Sequence, residues 1–162
     1  TPLTPPPAPT PVEVCPLLGT WEGPMRPCYA EGGSGSVRIV VTETSDPGCW
    51  HCAFSCTGQC AWSEHGCNYQ VNFSGTGKVY QIASEGGLYI PDILFKWALK
   101  IDSPTLGEGT LTYSVACEWG GSTDTWPLDF GAYSEEGFLE GTAGYPWVVS
   151  SCVEFEVYRV GD

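Results

Sequence analysis

The sequence predicts an all-β protein: an antiparallel β-barrel or β-sandwich of about 8–10 short strands, stabilised by disulfides and preceded by an extended Pro-rich N-terminal arm. Three observations predict it. Gly 21 and Pro 14 in 162 residues, beside Trp 7 and Tyr 8 with Met 1, describe many turns joined by aromatic, β-favouring runs. Apolar and polar residues alternate with period two through most of the chain, the pattern of strands with one buried face. Nine cysteines are spread over its length, enough to cross-link distant segments.

The elements follow in order. Residues 1–11, TPLTPPPAPTP, are proline-rich and favour polyproline geometry; proline gives no N–H to a ladder, so this stretch is not a central strand. Residues 1–14 are therefore read as an arm and residues 15–162 as a single β domain. The first strand of the body falls at residues 17–23. Alternation then recurs at 36–44, 67–74, 78–84, 93–101, 109–119, 137–141 and 152–160, with Gly, Pro, Asp and Ser between. Residues 52–62 are read as a strand pair with a turn near Thr57-Gly58. The same-parity apolar positions give a core of Leu18, Trp21, Val37, Ile39, Val41, Val71, Phe73, Leu111, Tyr113, Val115, Phe155 and Val157, with Leu94 and Leu99 added from a continuous apolar run.

Charge narrows the partners. Nineteen acids against six bases leave a net charge of −13, which disfavours nucleic acid and acidic membranes. The longest apolar-leaning stretch, residues 88–101, is broken by Pro91, Asp92, Lys96 and Lys100, so no membrane insertion of the mature chain is expected. A start at Thr1 suggests a chain from which a signal segment has been removed, and cysteine usage of this kind fits an oxidising, extracellular or cell-surface location.

The disulfide candidates are Cys15, Cys28, Cys49, Cys52, Cys56, Cys60, Cys67, Cys117 and Cys152. At least three bridges are expected, two or more of them tying the segment 49–67 into a compact loop. The odd count leaves a buried thiol or a bridge to a second chain. The window also holds His51 and His65, and C-x-x-C is a common zinc half-site. A second knuckle is missing, however, and oxidation competes for the thiolates, so no metal is assigned and both histidines are read as loop or surface residues.

Gly19-Thr20-Trp21 near the start and Val157-Tyr158-Arg159 near the end resemble the calycin superfamily of lipocalin-like barrels. The resemblance implies that Trp21 on the first strand packs against Arg159 from the last. Alternation agrees, because it sets Arg159 on the face of Val153, Phe155 and Val157. An inward arginine needs a partner, and an indole face supplies one through a cation–π contact.

No catalytic residues and no cofactor are assigned: G-x-S-x-G, P-loop and H-E-x-x-H motifs are all missing. Glu118, Asp124, Asp129, Glu135, Glu136 and Glu140 gather near Trp119, Trp126 and Tyr133, a mixture that glycoside hydrolases use. In so acidic a chain, a solvated acidic face explains the cluster. Asn72-Phe73-Ser74 makes Asn72 a glycosylation candidate. The leading functional expectation is a structural subunit of an extracellular filament, whose partners are other copies of itself. Pro5, Pro6, Pro7, Pro9 and Pro11 would dock on aromatic surface, and Val12 and Val14 would add to a sheet edge. A barrel holding a small apolar ligand and a glycan-binding or adhesive module are the alternatives.

Overall fold

The computed structural model describes residues 15–43, 50–82, 96–101 and 106–161, with only the backbone of Trp50, His51, Gln81 and Ile82. The predicted arm, with Pro5, Pro6, Pro7, Pro9, Pro11, Val12 and Val14, lies outside the described residues, as do Cys49 and Leu94.

Among the described residues, ten strands form one antiparallel sheet: β1 (Gly19–Pro27), β2 (Ser34–Glu43), β3 (Trp50–Glu64), β4 (Cys67–Ile82), β5 (Lys96–Lys100), β6 (Gly107–Cys117), β7 (Gly120–Pro127), β8 (Asp129–Glu135), β9 (Phe138–Tyr145) and β10 (Val148–Gly161). Its order is β3-β2-β1-β10-β9-β8-β5-β4-β6-β7, and an additional β3–β4 pairing closes eight strands into a barrel. The β6–β7 hairpin stands outside that closed set. It is attached because β4 changes partner along its length: residues 67–77 pair with β6 and residues 78–82 with β5.

Turn chemistry fixes the hairpins. His65 and Gly66 both have positive φ, 53° and 78°, the geometry that a two-residue β3–β4 turn requires. Four hairpin turns share one end of the molecule, here called the tip end. Cys67 pairs with Cys117 there, Ser34 with Ala61 and Pro27 with Val153, so the β1–β2, β3–β4, β6–β7 and β9–β10 turns lie at a common level. The chain enters β1 at the opposite end, where Gly19 pairs with Val41.

An eight-stranded barrel is just wide enough for side chains to fill it. Here they do so with rings: Phe130 packs on Phe54, Phe73 and Phe155 at centroid distances of 5.4, 6.0 and 5.3 Å. Met25, Ile39, Val71, Val79, Leu99, Leu111, Leu139, Val153 and Val157 are buried around them. The expected core residues that are described are in place, with Leu18 and Val115 packed at its margin as half-buried side chains.

Three expectations about strands are corrected. Residues 52–62 are not a pair with a turn at Thr57-Gly58 but the middle of the continuous strand β3. Gly58 is there for space, since a Cβ would fall 2.4 Å from the Phe73 ring. Residues 67–74 and 78–84 are likewise one strand through residue 82, and the Gly75-Thr76-Gly77 interruption is close packing. A Cβ on Gly77 would lie 2.7 Å from the Phe54 ring and 2.5 Å from the Lys100 carbonyl. Finally, β7 and β8 have no counterpart among the predicted strands.

Candidate functional site

Among the described residues, three disulfides join Cys15 to Cys52, Cys28 to Cys152 and Cys67 to Cys117. The second and third clamp the tip end, each across neighbouring strands. The first holds Cys15, the first residue after the arm, against β3 at the opposite end, where Cys52 pairs with Glu43 and Val79.

The expected cross-linked loop at 49–67 is instead a long hairpin whose bridges leave it for other elements. Cys56 and Cys60 are buried free thiols, contrary to their place among the disulfide candidates. They lie four residues apart on one strand, about 13 Å at the strand rise, too far to bridge. Burial pushes the Cys56 thiol up to about 12, against a weaker opposing hydrogen bond from the Gly75 backbone; burial raises Cys60 as well. Both are therefore protonated and inert at neutral pH.

Trp21 and Arg159 meet as the resemblance implies, although Arg159 is exposed rather than inward-facing. They are register partners across β1 and β10, and the guanidinium carbon lies 4.7 Å from the ring centroid. The guanidinium also donates to the Pro16 carbonyl, and the Trp21 indole N–H donates to the Leu17 carbonyl at 2.9 Å. The pair pins the chain between Cys15 and β1, immediately after the arm.

The six acids noted in the sequence are not brought together. Glu118 lies in the β6–β7 turn and Asp124 on β7, both toward the tip end. Glu136 sits in the β8–β9 turn at the other end, next to Glu135, which pairs with Lys96 at 2.6 Å. Asp129 and Glu140 border a 920 Å³ trough outside the barrel with Tyr133, Lys100 and Arg26. Asn72 is half-buried in mid-strand between Gln59 and Thr112, on the floor of a 400 Å³ depression rather than on a surface loop. His65 is in the β3–β4 turn beside Glu64.

Alternation, which reports burial along strands, does not place the rings that stand in the turns of the tip end. Tyr29, Trp119 and Trp147 stand on three of its turns, 72, 77 and 83% exposed. Behind them runs a row of five rings contributed by β3, β4, β6, β7 and β9. Trp62 stacks on Tyr69 at 5.4 Å, Tyr69 leans on Tyr113 at 6.4 Å, Tyr113 on Trp126 at 5.9 Å, and Trp126 stacks on Tyr145 at 5.2 Å. The Tyr113 hydroxyl shares a 3.0 Å hydrogen bond with Ser150, and burial raises its pKa. This row fastens the β6–β7 hairpin to β3–β4 on one side and β9–β10 on the other, and so holds the exposed turns in fixed relation.

Large apolar rings left in water forfeit burial energy, and three of them on turns of one end make that end the candidate site. The end thus combines a rigid aromatic platform with hairpin tips, a combination suited to recognising an apolar or PPII segment or a sugar face. In comparisons with known proteins, no family model, no curated protein and no solved structure matches this chain.

Proposed function

We propose that the chain is a structural subunit of an extracellular assembly, joined head-to-tail through residues 1–14. One observation carries the reading: the two ends of the body are unlike and complementary. Cys15, where the arm begins, is held at one end by Cys52, while exposed Tyr29, Trp119 and Trp147 occupy the other. A donor segment at one pole and an aromatic receptor at the opposite pole form a heterologous contact, which grows into a filament when its rotation does not close. Proline-rich segments suit such a receptor, because little chain entropy remains to be lost on docking. Three disulfides in a small β-barrel fit an oxidising, extracellular setting.

Deletion of residues 1–14 is the test. The intact chain is expected to form particles of many copies by light scattering and negative-stain microscopy, and the truncated chain to remain a folded monomer. A monomeric intact chain at high concentration would overturn the proposal.

The exposed rings also favour a second reading, an adhesive module that stacks sugars on Trp119 and Trp147. Retention on cellulose or chitin, lost in a Trp119→Ala/Trp147→Ala variant, would establish it. The Trp21–Arg159 contact and the eight-stranded closure support a calycin relationship. Ligand storage in the barrel has less in its favour, since Phe54, Phe73, Phe130 and Phe155 fill the interior.

A further inference from the structure

Among the described residues, β7 has an open edge. It pairs with β6 from Thr110↔Pro127 to Cys117↔Gly120 without a register shift, and with no other strand. Residues 120–125 are exposed throughout. Native edges of this kind are usually blunted by lysines, bulges or an early proline. Here the sequence GGSTDTWP carries no lysine, and its proline comes last. The outer face of the hairpin is knit by hydroxyls, Thr112 to Thr125 at 3.3 Å and Ser114 to Thr123 at 3.1 Å, so the edge is held straight and regular.

We propose that the open edge of β7 accepts residues 12–14 of a second copy as an added strand. This rests on the head-to-tail reading and names its receptor. Three positions with backbone donors, Val12, Glu13 and Val14, follow the last proline of the arm. With Val12 and Val14 on the inner face they lie alongside half-buried Trp126, and Glu13 turns outward toward the hydroxyl-bearing face. The prolines that precede them then pass near the exposed rings of the tip end.

Geometry requires that the donor come from another copy. Val14 adjoins Cys15, which is bridged to Cys52, and Cys52 is level with Val79 on β4. The nearest end of β7, Pro127, is level with Ser74, five residues along β4 and three strands across. At about 3.3 Å per residue and 4.8 Å per strand, that separation is roughly 20 Å. Residue 12 reaches at most about 10 Å from Cys15. The segment cannot lie on its own β7.

Two sets of variants test this. Neighbouring residues of an antiparallel strand send their N–H groups to opposite edges, so of Ser122→Pro and Thr123→Pro one removes a donor from the β6 ladder and the other a donor from the open edge. The open-edge variant should fold, with an unchanged circular dichroism spectrum, yet lose assembly at least tenfold. In parallel, a chain carrying Glu13→Cys, on the same face as Thr123, is mixed with one carrying Thr123→Cys and oxidised. A disulfide-linked dimer on a denaturing gel is expected from the mixture, and not when Val160→Cys, at the opposite end, replaces Thr123→Cys. If the mixture gives no cross-link, or folded proline variants both assemble normally while deletion of residues 1–14 still prevents assembly, β7 is not the acceptor although the arm is the donor. If the intact chain never assembles, the head-to-tail reading itself fails.

Discussion

The guanidinium of Arg159 lies over the indole of Trp21 at 4.7 Å while bonding the Pro16 carbonyl, so the last strand holds down the entrance to the first. Arg159 is exposed, which limits the contact to about 1 kcal/mol. Arg159→Ala is expected to lower the unfolding free energy by about that amount in urea. Trp21 is 5% exposed, and Trp21→Ala should cost about 3–5 kcal/mol. In the double variant the Arg159 effect should largely vanish, because the ring it rests on is gone.

The calycin resemblance pointed to that contact, and strict alternation in residues 152–160 agreed because it fixes the parity of Arg159. Most of the core was legible for the same reason. The glycines were not. Gly58, Gly75 and Gly77 look like turn residues, yet each leaves room for a neighbouring ring, side chain or backbone atom, a demand that exists only once β1, β3, β4, β5 and β6 are assembled. Strand β7 escaped notice because residues 120–125 are exposed on both faces and so carry no alternation. Cysteine pairing is equally non-local: Cys28 and Cys152 are 124 residues apart and meet only when β1 and β10 pair.

Gly58→Ala tests the glycine argument. The added methyl would sit 2.4 Å from the Phe73 ring and 3.1 Å from the Met25 methyl, so the core must shift, at a cost of about 1–3 kcal/mol. Phe73→Leu should recover part of that loss in the Gly58→Ala background while destabilising the parent protein. Equal and additive losses would mean that the ring does not define the space.

The buried thiols should be silent in the native state. Cys56 and Cys60 are expected to resist a thiol reagent at pH 8 and to react fully in denaturant. The sign of the linkage is set by the raised pKa of Cys56, about 12 against 9.0. Its contribution is fully present below pH 9 and is lost as pH rises toward 12, because the unfolded chain ionises first. The unfolding free energy should therefore fall across that window, by up to about 1.4 kcal/mol per pH unit for this group, and more gently in Cys56→Ala.

The Cys28–Cys152 bridge closes a separation of 124 residues, against 37 for Cys15–Cys52 and 50 for Cys67–Cys117. Chain entropy alone assigns it about 5 kcal/mol, and about 4 kcal/mol to each of the others. Replacing both members of each pair by alanine should therefore lower Tm most for Cys28/Cys152. Loss of Cys67/Cys117 should act locally as well. Amide exchange is then expected to accelerate in the β6–β7 hairpin, whose turn the bridge clamps, and much less in β1 and β10.

Salt distinguishes the kind of contact that joins the copies. Each carries a net charge of −13, so association brings like charges together. Contacts made by backbone hydrogen bonds to β7 and by prolines against aromatic rings depend little on ions, leaving repulsion as the main electrostatic contribution. Raising ionic strength from about 0.01 to 0.15 M shortens the screening length from about 30 to 8 Å and weakens that repulsion. Assembly should consequently start at a lower protein concentration in the higher salt, as followed by light scattering. Assembly built on ion pairs, using Arg26 or Arg38 against a neighbour's carboxylates, would respond in the opposite sense. Weaker assembly in salt would thus place the interface on the charged outer wall of the barrel rather than on β7 and the exposed rings.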